Sequence, residues 1–576
     1  MTPSPRNDQT ATATLPDVAR TSATAGHRLG HQDALALGLV IAVAVAMWLP
    51  RWRGPIDMRW DGAVYFILGT SIAEGKGYQL LSEPGEIDEV HYPPLLPAIV
   101  ALHQRLLGSN DPTIVGHWLR LTSFVIFLIY AVLVLRFLRG WLPVWEAVLG
   151  TMLSLFCVYA WFLSDLLFPE LWFAIATLTF LQTVRRRDRA SHTVVAYFAA
   201  VAAYALRTIG IVVLVTWVID SVLHRGLRKA AVRAVLALLP VATWQMYVAG
   251  VERSPAYNAP AYAYQRAPYN FYNVSYATNV ALRDPFAPEK GRARIERRVV
   301  RNALHLPVNL GETFTASPRY FEMFLERVLG KGPGATTVAF WMVFLGMSMF
   351  GGMLVFGGTA QQLRAGETLL PSYVLMYLAA MCLTPFPDQY QRYLMPIAPA
   401  LVLAAFVFVS QLAARGRIAS ARLSKLPLIV LGSALVTQIA ATVSVFTSEY
   451  QPVAYVDRAG RPVSYRLFYY GSARREYDET IDFIRTHARS GDVVAAGMPH
   501  WIHLRTGLKA VLPPLEADPA KAQTLLDSVP VRYLVIGEDV IASERYTRPV
   551  VGQRPSAWER VYSTTARHWS VYRRID

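Results

Sequence analysis

The sequence predicts a polytopic α-helical membrane protein with about eleven membrane-spanning segments and a small C-terminal α/β domain. Apolar runs of about 20 residues, long enough to cross a bilayer, recur through residues 33–446. Charged residues make up only 17% of the chain, against about 25% in soluble domains. A soluble protein of this composition would expose apolar surface that it could not cover, so much of the chain must face lipid.

The predicted spans follow a polar N-terminal stretch. Residues 1–32 are rich in Thr, Ala and Ser and contain no apolar core, which predicts a disordered cytoplasmic tail and not a signal peptide. The transmembrane domain follows as residues 33–446. Its predicted spans are 33–50, 116–137, 144–163, 168–184, 192–206, 209–223, 230–250, 336–358, 368–384, 394–413 and 426–446.

The basic residues predict the orientation in the membrane. If the N-terminus is cytoplasmic, the cytoplasmic links 185–191 and 414–425 hold clusters of Arg and Lys. The short outer links 164–167 and 384–393 contribute only Arg392. This asymmetry follows the positive-inside rule. An odd number of spans then places the C-terminus outside the cytoplasmic membrane.

Three segments are too long and polar to be links, and all three fall on the outer side. Residues 51–115 and 251–335 form outer loops, and residues 447–576 form the extracytoplasmic α/β domain. We therefore expect the chemistry there. Within the C-terminal domain, periodicity predicts helices over 476–488 and 519–529, strands over 492–497, 509–512 and 531–537, and a terminal hairpin of 558–563 and 568–574.

The charge and the cysteines exclude other classes. The formal charge is +16, but the basic residues lie mainly in short clusters between apolar runs, so no nucleic-acid partner is expected. Cys157 and Cys382 both lie inside apolar runs, and no CxxC or HExxH pattern is present. No cofactor or metal site is predicted, although a divalent metal stays possible.

The first outer loop is the most informative stretch. Asp61 and Tyr65 are four residues apart, so on a helix they share one face. Asp61 lies just beyond a span, where a partly desolvated carboxylate can act as a general base. The alternative is a helix cap, a common position for Asp. The loop ends in the sequence H-Y-P-P-L, from His91 to Leu95.

A second acidic candidate is Asp165, in the outer link between the third and fourth spans. Charges near a bilayer are costly and often functional, so Asp165 is expected either in the same cavity as Asp61 or as a helix cap. In the cap alternative, Glu170 favours the N-terminal dipole of the fourth span.

Two arginines at the outer face oppose the positive-inside trend, Arg207 and Arg392. A guanidinium binds a phosphate through two parallel hydrogen bonds, which suits a lipid phosphate. The alternative is that each side chain only extends to the lipid headgroups. The second outer loop offers membrane-lipid contacts as well, because residues 283–301 are rich in arginine.

The first loop resembles the GT-C superfamily of membrane glycosyltransferases that use polyprenyl-phosphate sugars. It is most similar to the branch of protein O-mannosyltransferases and lipid A aminoarabinose transferases. The resemblance rests on Asp61 before Tyr65, on the stretch 73–78, and on the Y-P-P-L element that begins at Tyr92. Two positions depart from the pattern. Gly62 follows Asp61 where the family often has Glu, and His91 and Tyr92 stand where the aminoarabinose branch has Glu-Lys.

The resemblance implies transfer of a sugar, with inversion, from a polyprenyl-phosphate donor to an unidentified acceptor at the outer membrane face. It implies that Asp61 is the catalytic base, and Asp165 is the second acidic residue assigned to catalysis. Tyr65, Tyr92 and Arg392 fit the resemblance as substrate-binding residues, and His91 and Arg207 are predicted to bind substrate beside them. Two other classes stay open: a transporter or lipid flippase, which needs charged or broken helices at mid-membrane and internal repeats, and a non-enzymatic envelope scaffold.

Overall fold

The structure is a computed structural model of the chain. It describes residues 30–185, 190–315, 338–415, 425–538 and 543–575. The predicted disordered tail falls almost wholly outside the described residues, as do most of the two cytoplasmic links that hold the Arg and Lys clusters.

Helices build the region before residue 449, and each predicted span coincides with at least one of them. In chain order they are α1 (His31–Trp48), α2 (Asp61–Ala73), α3 (Leu95–Leu107), α4 (Pro112–Arg139), α5 (Val144–Phe156), α6 (Val158–Leu163), α7 (Glu170–Arg185), α8 (Ala190–Leu206), α9 (Ile211–His224), α10 (Leu227–Glu252), α11 (Pro255–Asn258), α12 (Tyr276–Val280), α13 (Ile295–Thr315), α14 (Val338–Arg364), α15 (Leu369–Met381), α16 (Tyr390–Leu394), α17 (Ala398–Arg415) and α18 (Leu426–Ser448).

Six segments of the described chain are long and apolar enough to cross a membrane by themselves. They are His31–Arg51, Pro112–Arg139, Leu227–Glu252, Trp341–Arg364, Pro387–Ala414 and Leu426–Ser448. Several further apolar helices are shorter. The protein is therefore a polytopic helical membrane protein, as predicted, while the number of eleven spans stays a prediction.

One predicted span is broken in a way that matters for the outer face. Residues 144–163 form two helices, α5 and α6, because Cys157 has an extended ψ of 118°. The break turns the end of α6 toward the first outer loop. There Arg51 donates a hydrogen bond to the carbonyl oxygen of Trp161 at 2.6 Å.

The first outer loop is a folded unit that contains two apolar helices that periodicity did not predict, α2 and α3. They pack closely, since a Cβ at Gly69 would lie 2.6 Å from a methyl carbon of Val100. Arg105 also joins the two helices by a hydrogen bond to the carbonyl oxygen of Ile72 at 2.8 Å. Asp61 is thus the first residue of a helix that is held by its neighbour.

The C-terminal region is a small α/β domain, as predicted. The short strands β1 (Gln79–Leu80) and β2 (Ile87–Asp88) pair with each other in the first outer loop. In the C-terminal region, a hairpin of β3 (Tyr450–Val456) and β4 (Pro462–Phe468) follows the last long helix. The elements that follow the hairpin are α19 (Ser472–His487), β5 (Val493–Ala495), α20 (Pro499–Thr506), β6 (Lys509–Val511), α21 (Pro519–Asp527), β7 (Val531–Gly537), α22 (Arg548–Gln553), β8 (Trp558–Ser563) and β9 (Trp569–Arg574). The five strands β5 to β9 form one mixed sheet in the order β6-β5-β7-β9-β8.

Most of these elements coincide with predicted ones. The hairpin β3–β4 and the short helices α20 and α22 were not predicted. In β4 the buried residues Val463, Tyr465 and Leu467 alternate with exposed ones, so this strand carries a period of two that the sequence analysis missed.

The three segments predicted on the outer side contact one another. The N–H of Ala510 in β6 donates to the carbonyl oxygen of Ser82 in the first loop at 2.9 Å. Tyr262 of the second loop lies in the apolar core of the C-terminal domain and donates its hydroxyl hydrogen to Glu83 at 2.7 Å. The outer loops and the C-terminal domain therefore surround the start of α2 together.

Candidate active site

Asp61 begins α2 directly after a strained residue. Trp60 has φ 55° and ψ −128°, a combination that side-chain-bearing residues rarely adopt. Such a residue costs about 1–3 kcal/mol and persists only where its surroundings fix it. At the next position, a Cβ on Gly62 would lie 3.3 Å from the carbonyl oxygen of Asp57 and 3.5 Å from the Cβ of Leu167. This close packing suits glycine where the resembling family has Glu.

Both carboxylate oxygens of Asp61 accept hydrogen bonds from predicted site residues. Arg392 donates from Nη2 to Oδ2 at 2.9 Å, and the Tyr92 hydroxyl donates to Oδ1 at 3.0 Å. The Asp61 side chain is 16% exposed and the Arg392 side chain 13% exposed. The structure thus joins residues that lie 331 positions apart in the chain.

Glu170 extends this pair into a network of two carboxylates and two guanidinium groups. Arg392 Nε donates to Glu170 Oε1 at 2.5 Å, and Arg207 Nη1 donates to the same oxygen. The Glu170 side chain is fully buried, and its Oε2 has no hydrogen-bond partner among the described residues. We call Asp61, Glu170, Arg207 and Arg392 the outer-face network.

Glu170 is a site residue that sequence reasoning missed, since it was interpreted only as a group that favours a helix dipole. A signal was present. Glu170 starts an apolar helix after a proline, and two arginines on the same side of the membrane oppose the positive-inside trend. A buried carboxylate needs a partner of opposite charge, and those two arginines are its partners.

Aromatic side chains from three regions surround Asp61. The rings of Tyr65 and Tyr92 meet edge to face with centroids 5.0 Å apart. Tyr92 stacks on Tyr272 of the second loop at 6.3 Å, and Tyr272 in turn meets His500 of the C-terminal domain at 4.6 Å. His91 accompanies Tyr92, with ring centroids 4.8 Å apart.

The imidazoles beside Asp61 are neutral near pH 7. Burial lowers the pKa of His91 to about 4, although its Nδ1 lies 3.2 Å from the carbonyl oxygen of Val274. Burial also lowers the pKa of His500 to about 3. His500 Nδ1 shares a hydrogen bond with the Ser82 hydroxyl at 2.8 Å. Neither ring supplies a positive charge to the site.

Glu89 orients the tyrosine that contacts Asp61. Its Oε1 accepts from the backbone N–H groups of His91 at 2.5 Å and Tyr92 at 2.9 Å. Burial raises the pKa of Glu89 to about 7, and these backbone hydrogen bonds oppose the shift. Sequence reasoning did not single out Glu89, because its role depends on a turn that only the folded loop forms.

Asp165 lies in a different network from Asp61. It forms an ion pair with Arg120 at 3.0 Å, and both side chains are almost fully buried. The carbonyl oxygen of Asp165 accepts a hydrogen bond from the N–H of Asp57 at 3.0 Å. Asp57 in turn forms an ion pair with Arg59 at 2.6 Å. The structure therefore brings together all predicted site residues around Asp61 except Asp165.

A divalent metal does not fit between the two carboxylates of the outer-face network. Arg392 bridges Asp61 and Glu170, and its positive charge opposes a second cation at that position. Within the described part of the chain, no group of three or more His, Cys, Asp or Glu side chains has the arrangement of a metal site. We route no step through a metal.

Comparison with known proteins gives structural likeness without sequence likeness. No protein-family model and no curated protein matches the chain. ArnT from Cupriavidus metallidurans in the apo state superimposes with a TM-score of 0.51 and 12% identity, over 94% of this chain and 98% of that chain. The apo oligosaccharyltransferase of Archaeoglobus fulgidus gives 0.50 and 13% identity, over 88% of this chain and 69% of that chain.

The same archaeal enzyme, tethered to an acceptor peptide with the NVT sequon, gives 0.50 and 12% identity over 94% of this chain and 74% of that chain. Both proteins are GT-C glycosyltransferases. The likeness shows the fold alone: this chain shares the polytopic helical architecture of these two proteins.

Proposed function

Given the GT-C fold, we propose that the protein is an inverting glycosyltransferase of the outer face of the cytoplasmic membrane. It transfers a sugar from a polyprenyl-phosphate donor to an acceptor hydroxyl. One observation carries this proposal: Asp61 is held between the Tyr92 hydroxyl and Arg392, and Arg392 continues to Glu170 and Arg207. A carboxylate beside paired guanidinium groups suits a reaction that takes a proton and releases a phosphate.

In the proposed reaction, Asp61 removes the proton of the acceptor hydroxyl. The acceptor oxygen attacks the anomeric carbon from the face opposite the phosphate, and the bond from that carbon to the phosphate oxygen breaks. The bonding electrons leave with the polyprenyl phosphate, so the anomeric configuration inverts. Tyr92 fixes the carboxylate by its hydrogen bond to Oδ1, and a positioned base of this kind contributes about 100- to 10,000-fold.

Arg392 and Arg207 stabilise the leaving phosphate. A guanidinium carries five N–H donors, of which the ion pairs of Arg392 use one on Nε and one on Nη2. The side chains of Arg392 and Arg207 are 13% and 20% exposed, so a phosphate can approach them. Donors fixed in place before the charge develops stabilise the transition state without reorganisation.

The tyrosines beside Asp61 form the packed wall of the proposed site, since Tyr65, Tyr92 and Tyr272 are only 3%, 8% and 7% exposed. Tyr65 and Tyr92 present an edge-to-face pair next to the carboxylate, and Tyr272 continues the wall. The neutral His91, which is partly exposed, adds a hydrogen-bonding group without charge.

We assign Asp165 to the structure and not to the chemistry. Its carboxylate pairs with the buried Arg120, and its backbone carbonyl binds Asp57. Its side chain is only 1% exposed, so an acceptor has no path to it without a rearrangement.

A gene deletion with complementation tests the proposal. We expect cells without the gene to accumulate a lipid-linked sugar and to lack its glycan product, as measured by mass spectrometry of the cell envelope. Wild-type protein and Asp388→Asn should restore the product, because Asp388 is an exposed carboxylate whose hydrogen bond among the described residues is with the Gln389 side chain. Asp61→Asn should not. Restoration by Asp61→Asn would overturn the proposed function.

A further inference from the structure

The C-terminal domain binds Arg59, a residue only two positions before Asp61. Arg59 is 2% exposed, and its guanidinium reaches the turn that follows β4. Nη2 donates to the carbonyl oxygen of Phe468 at 2.7 Å, and Nη1 donates to that of Tyr469 at 3.3 Å. Both acceptors are main-chain atoms of the C-terminal domain, so these two hydrogen bonds depend on the path of its backbone.

The other side of the same guanidinium is tied to the first loop. Nε of Arg59 lies 3.0 Å from each carboxylate oxygen of Asp57, and Nη2 lies 2.6 Å from Oδ2. The main chain of Asp57 is fixed in turn, because its carbonyl oxygen accepts from the N–H of Leu167 at 2.9 Å. Arg59 therefore connects three parts of the protein: the first loop, the link before α7 and the C-terminal domain.

Strained backbone lies on both sides of this connection. Trp60, between Arg59 and Asp61, has φ 55°, and Tyr469, whose carbonyl accepts from Arg59, has φ 54°. Neither is glycine, so each needs outside contacts to keep its conformation. The Arg59 guanidinium lies 4.7 Å from the Trp60 ring, and Arg474 of α19 lies 5.9 Å from the same ring. The C-terminal domain thus contacts Trp60 as well.

We propose that the C-terminal domain positions Asp61 through Arg59, which acts as a positioning residue and not as a catalytic one. This proposal rests on the proposed function. When the Arg59 guanidinium is lost, Trp60 is free to relax toward an ordinary backbone conformation. The start of α2 then turns, and the Asp61 carboxylate moves away from Arg392. A misplacement of about 1 Å at a reacting group can cost about 100-fold in rate.

A second contact route supports the same arrangement. His500 of α20 packs edge to face on Tyr272, which stacks on Tyr92, and the Tyr92 hydroxyl binds Asp61. His500 is 2% exposed, and its Nε2 has no hydrogen-bond partner among the residues that the structure describes. The C-terminal domain therefore contacts both the main chain before Asp61, through Arg59, and the tyrosine that binds the Asp61 carboxylate, through Tyr272.

The experiment compares full-length Arg59→Lys and Arg59→Ala with Arg461→Ala as the matched control. Arg461 also joins the C-terminal domain to the first loop, by an ion pair with Asp111 at 2.6 Å, and it pairs with Asp457 of its own hairpin at 2.7 Å. Its side chain is 45% exposed, and among the described residues none of its ion pairs involves the outer-face network. The assay is sugar transfer by purified protein, expressed per folded molecule. Lysine keeps the charge but has one ammonium in place of the fork, so it cannot hold the carboxylate and both carbonyls together.

We expect Arg59→Lys and Arg59→Ala to lower kcat about 10- to 100-fold while the KM for the donor changes less than about threefold. Arg461→Ala should keep both constants. Amide hydrogen exchange should rise in residues 57–65 of the Arg59 variants and stay unchanged there in Arg461→Ala. If Arg59→Ala does not fold, Arg59→Lys decides alone.

Wild-type kcat per folded molecule in Arg59→Lys would overturn the inference, provided that wild type is active and Asp61→Asn is inactive. Inactive wild-type protein, or active Asp61→Asn, would overturn the proposed function instead. The two failures are therefore distinguishable.

Discussion

Two networks of carboxylates and arginines lie close together around the start of α2, built from the same residue types. The first is the outer-face network defined above. The second, which we call the latch network, consists of Asp57, Asp165, Arg51, Arg59 and Arg120. Asp57 and Asp61 are one helical turn apart in sequence, yet each belongs to a different network. The difference between the networks lies in what the arginines bind.

Main-chain carbonyls take up the arginine donors of the latch network. Arg120 donates from Nε and Nη2 to the carbonyl oxygen of Pro55 and from Nη1 to that of Arg51. Arg59 likewise binds the carbonyls of Phe468 and Tyr469. The charged side chains are at most 3% exposed. A guanidinium used in this way fixes the chain path and has few donors left for a ligand.

The arginines of both networks pair with carboxylates and lie over aromatic rings, but among the described residues no main-chain carbonyl accepts a hydrogen bond from Arg392 or Arg207. Arg392 contacts Asp61, Glu170 and the ring of Phe168 at 4.2 Å. Arg207 contacts Glu170 and lies 5.1 Å from the ring of Tyr393. An incoming phosphate can replace a carboxylate as the partner of such a group, because both are anionic acceptors of similar geometry. The groups that accept hydrogen bonds from a guanidinium therefore distinguish an arginine that can bind a ligand from one that holds the main chain in place.

The largest effect should come from Asp61→Asn. Asn keeps the shape of the side chain but cannot take a proton from the acceptor, so turnover should fall about 100- to 10,000-fold. Donor binding and the melting temperature should stay close to those of wild type. Sugar transfer from a lipid-linked donor by purified protein in detergent measures the turnover. If Asp57→Asn were inactive and Asp61→Asn active, the two networks would have to exchange roles.

The next largest effect should come from Arg392→Ala. Loss of one fixed donor to the leaving phosphate should lower kcat about 100- to 1,000-fold. Arg392→Lys should recover part of that loss, because the charge is kept while the fork is lost. Release of polyprenyl phosphate in single-turnover experiments measures this step. Unchanged donor kinetics in Arg392→Ala would assign the residue to headgroup anchoring.

Asp165→Asn should affect stability and leave the chemistry intact. It removes the charge opposite the buried Arg120, and breaking a buried pair in this way costs about 3–5 kcal/mol. Thermal unfolding in detergent should show the loss, while activity per folded molecule stays within about threefold of wild type. A stable but inactive Asp165→Asn protein would restore Asp165 to the catalytic residues.

The smallest effect should come from Glu89→Gln, and it should depend on pH. The pKa of Glu89 is raised by burial to about 7 in the folded protein. The stability that this group contributes is therefore present below its unfolded pKa of about 4.3 and is lost as the pH rises through 7. Arg266 is the charged group that favours the ionised form.

Gln imitates the protonated acid and keeps an oxygen for the N–H groups of His91 and Tyr92. Glu89→Gln should therefore match wild type at pH 5 and be more stable at pH 8, by about 1–3 kcal/mol. Glu74→Gln is the control, because Glu74 is partly exposed and pairs with Lys76 at the surface. A stability difference that is the same at both pH values would show that Glu89 is ionised throughout.

Local sequence pattern was enough to predict the helices of the apolar runs and much of the C-terminal domain. A membrane-spanning helix must be apolar along its own length, since lipid satisfies no polar group, and this requirement is written locally. The strand Val531–Gly537 was legible for a similar reason, because a buried strand is a short apolar run. The terminal hairpin was legible from its aromatic and β-branched residues. Asp61 and Tyr65 were singled out because they match the first-loop pattern of the resembling superfamily, since their four-residue spacing alone leaves a helix cap equally open.

Which arginine pairs with which acidic residue depends on the tertiary structure. Nothing local separates Asp61 from Asp57, or Glu170 from Asp165, because all four are acidic residues near the end of an apolar segment. Arg392 binds Asp61 across 331 positions of sequence, and Arg59 binds Phe468 across 409. These partners are set by packing among helices, loops and the C-terminal domain. A single side chain specifies the charge that must be neutralised, and only the folded chain specifies the group that neutralises it.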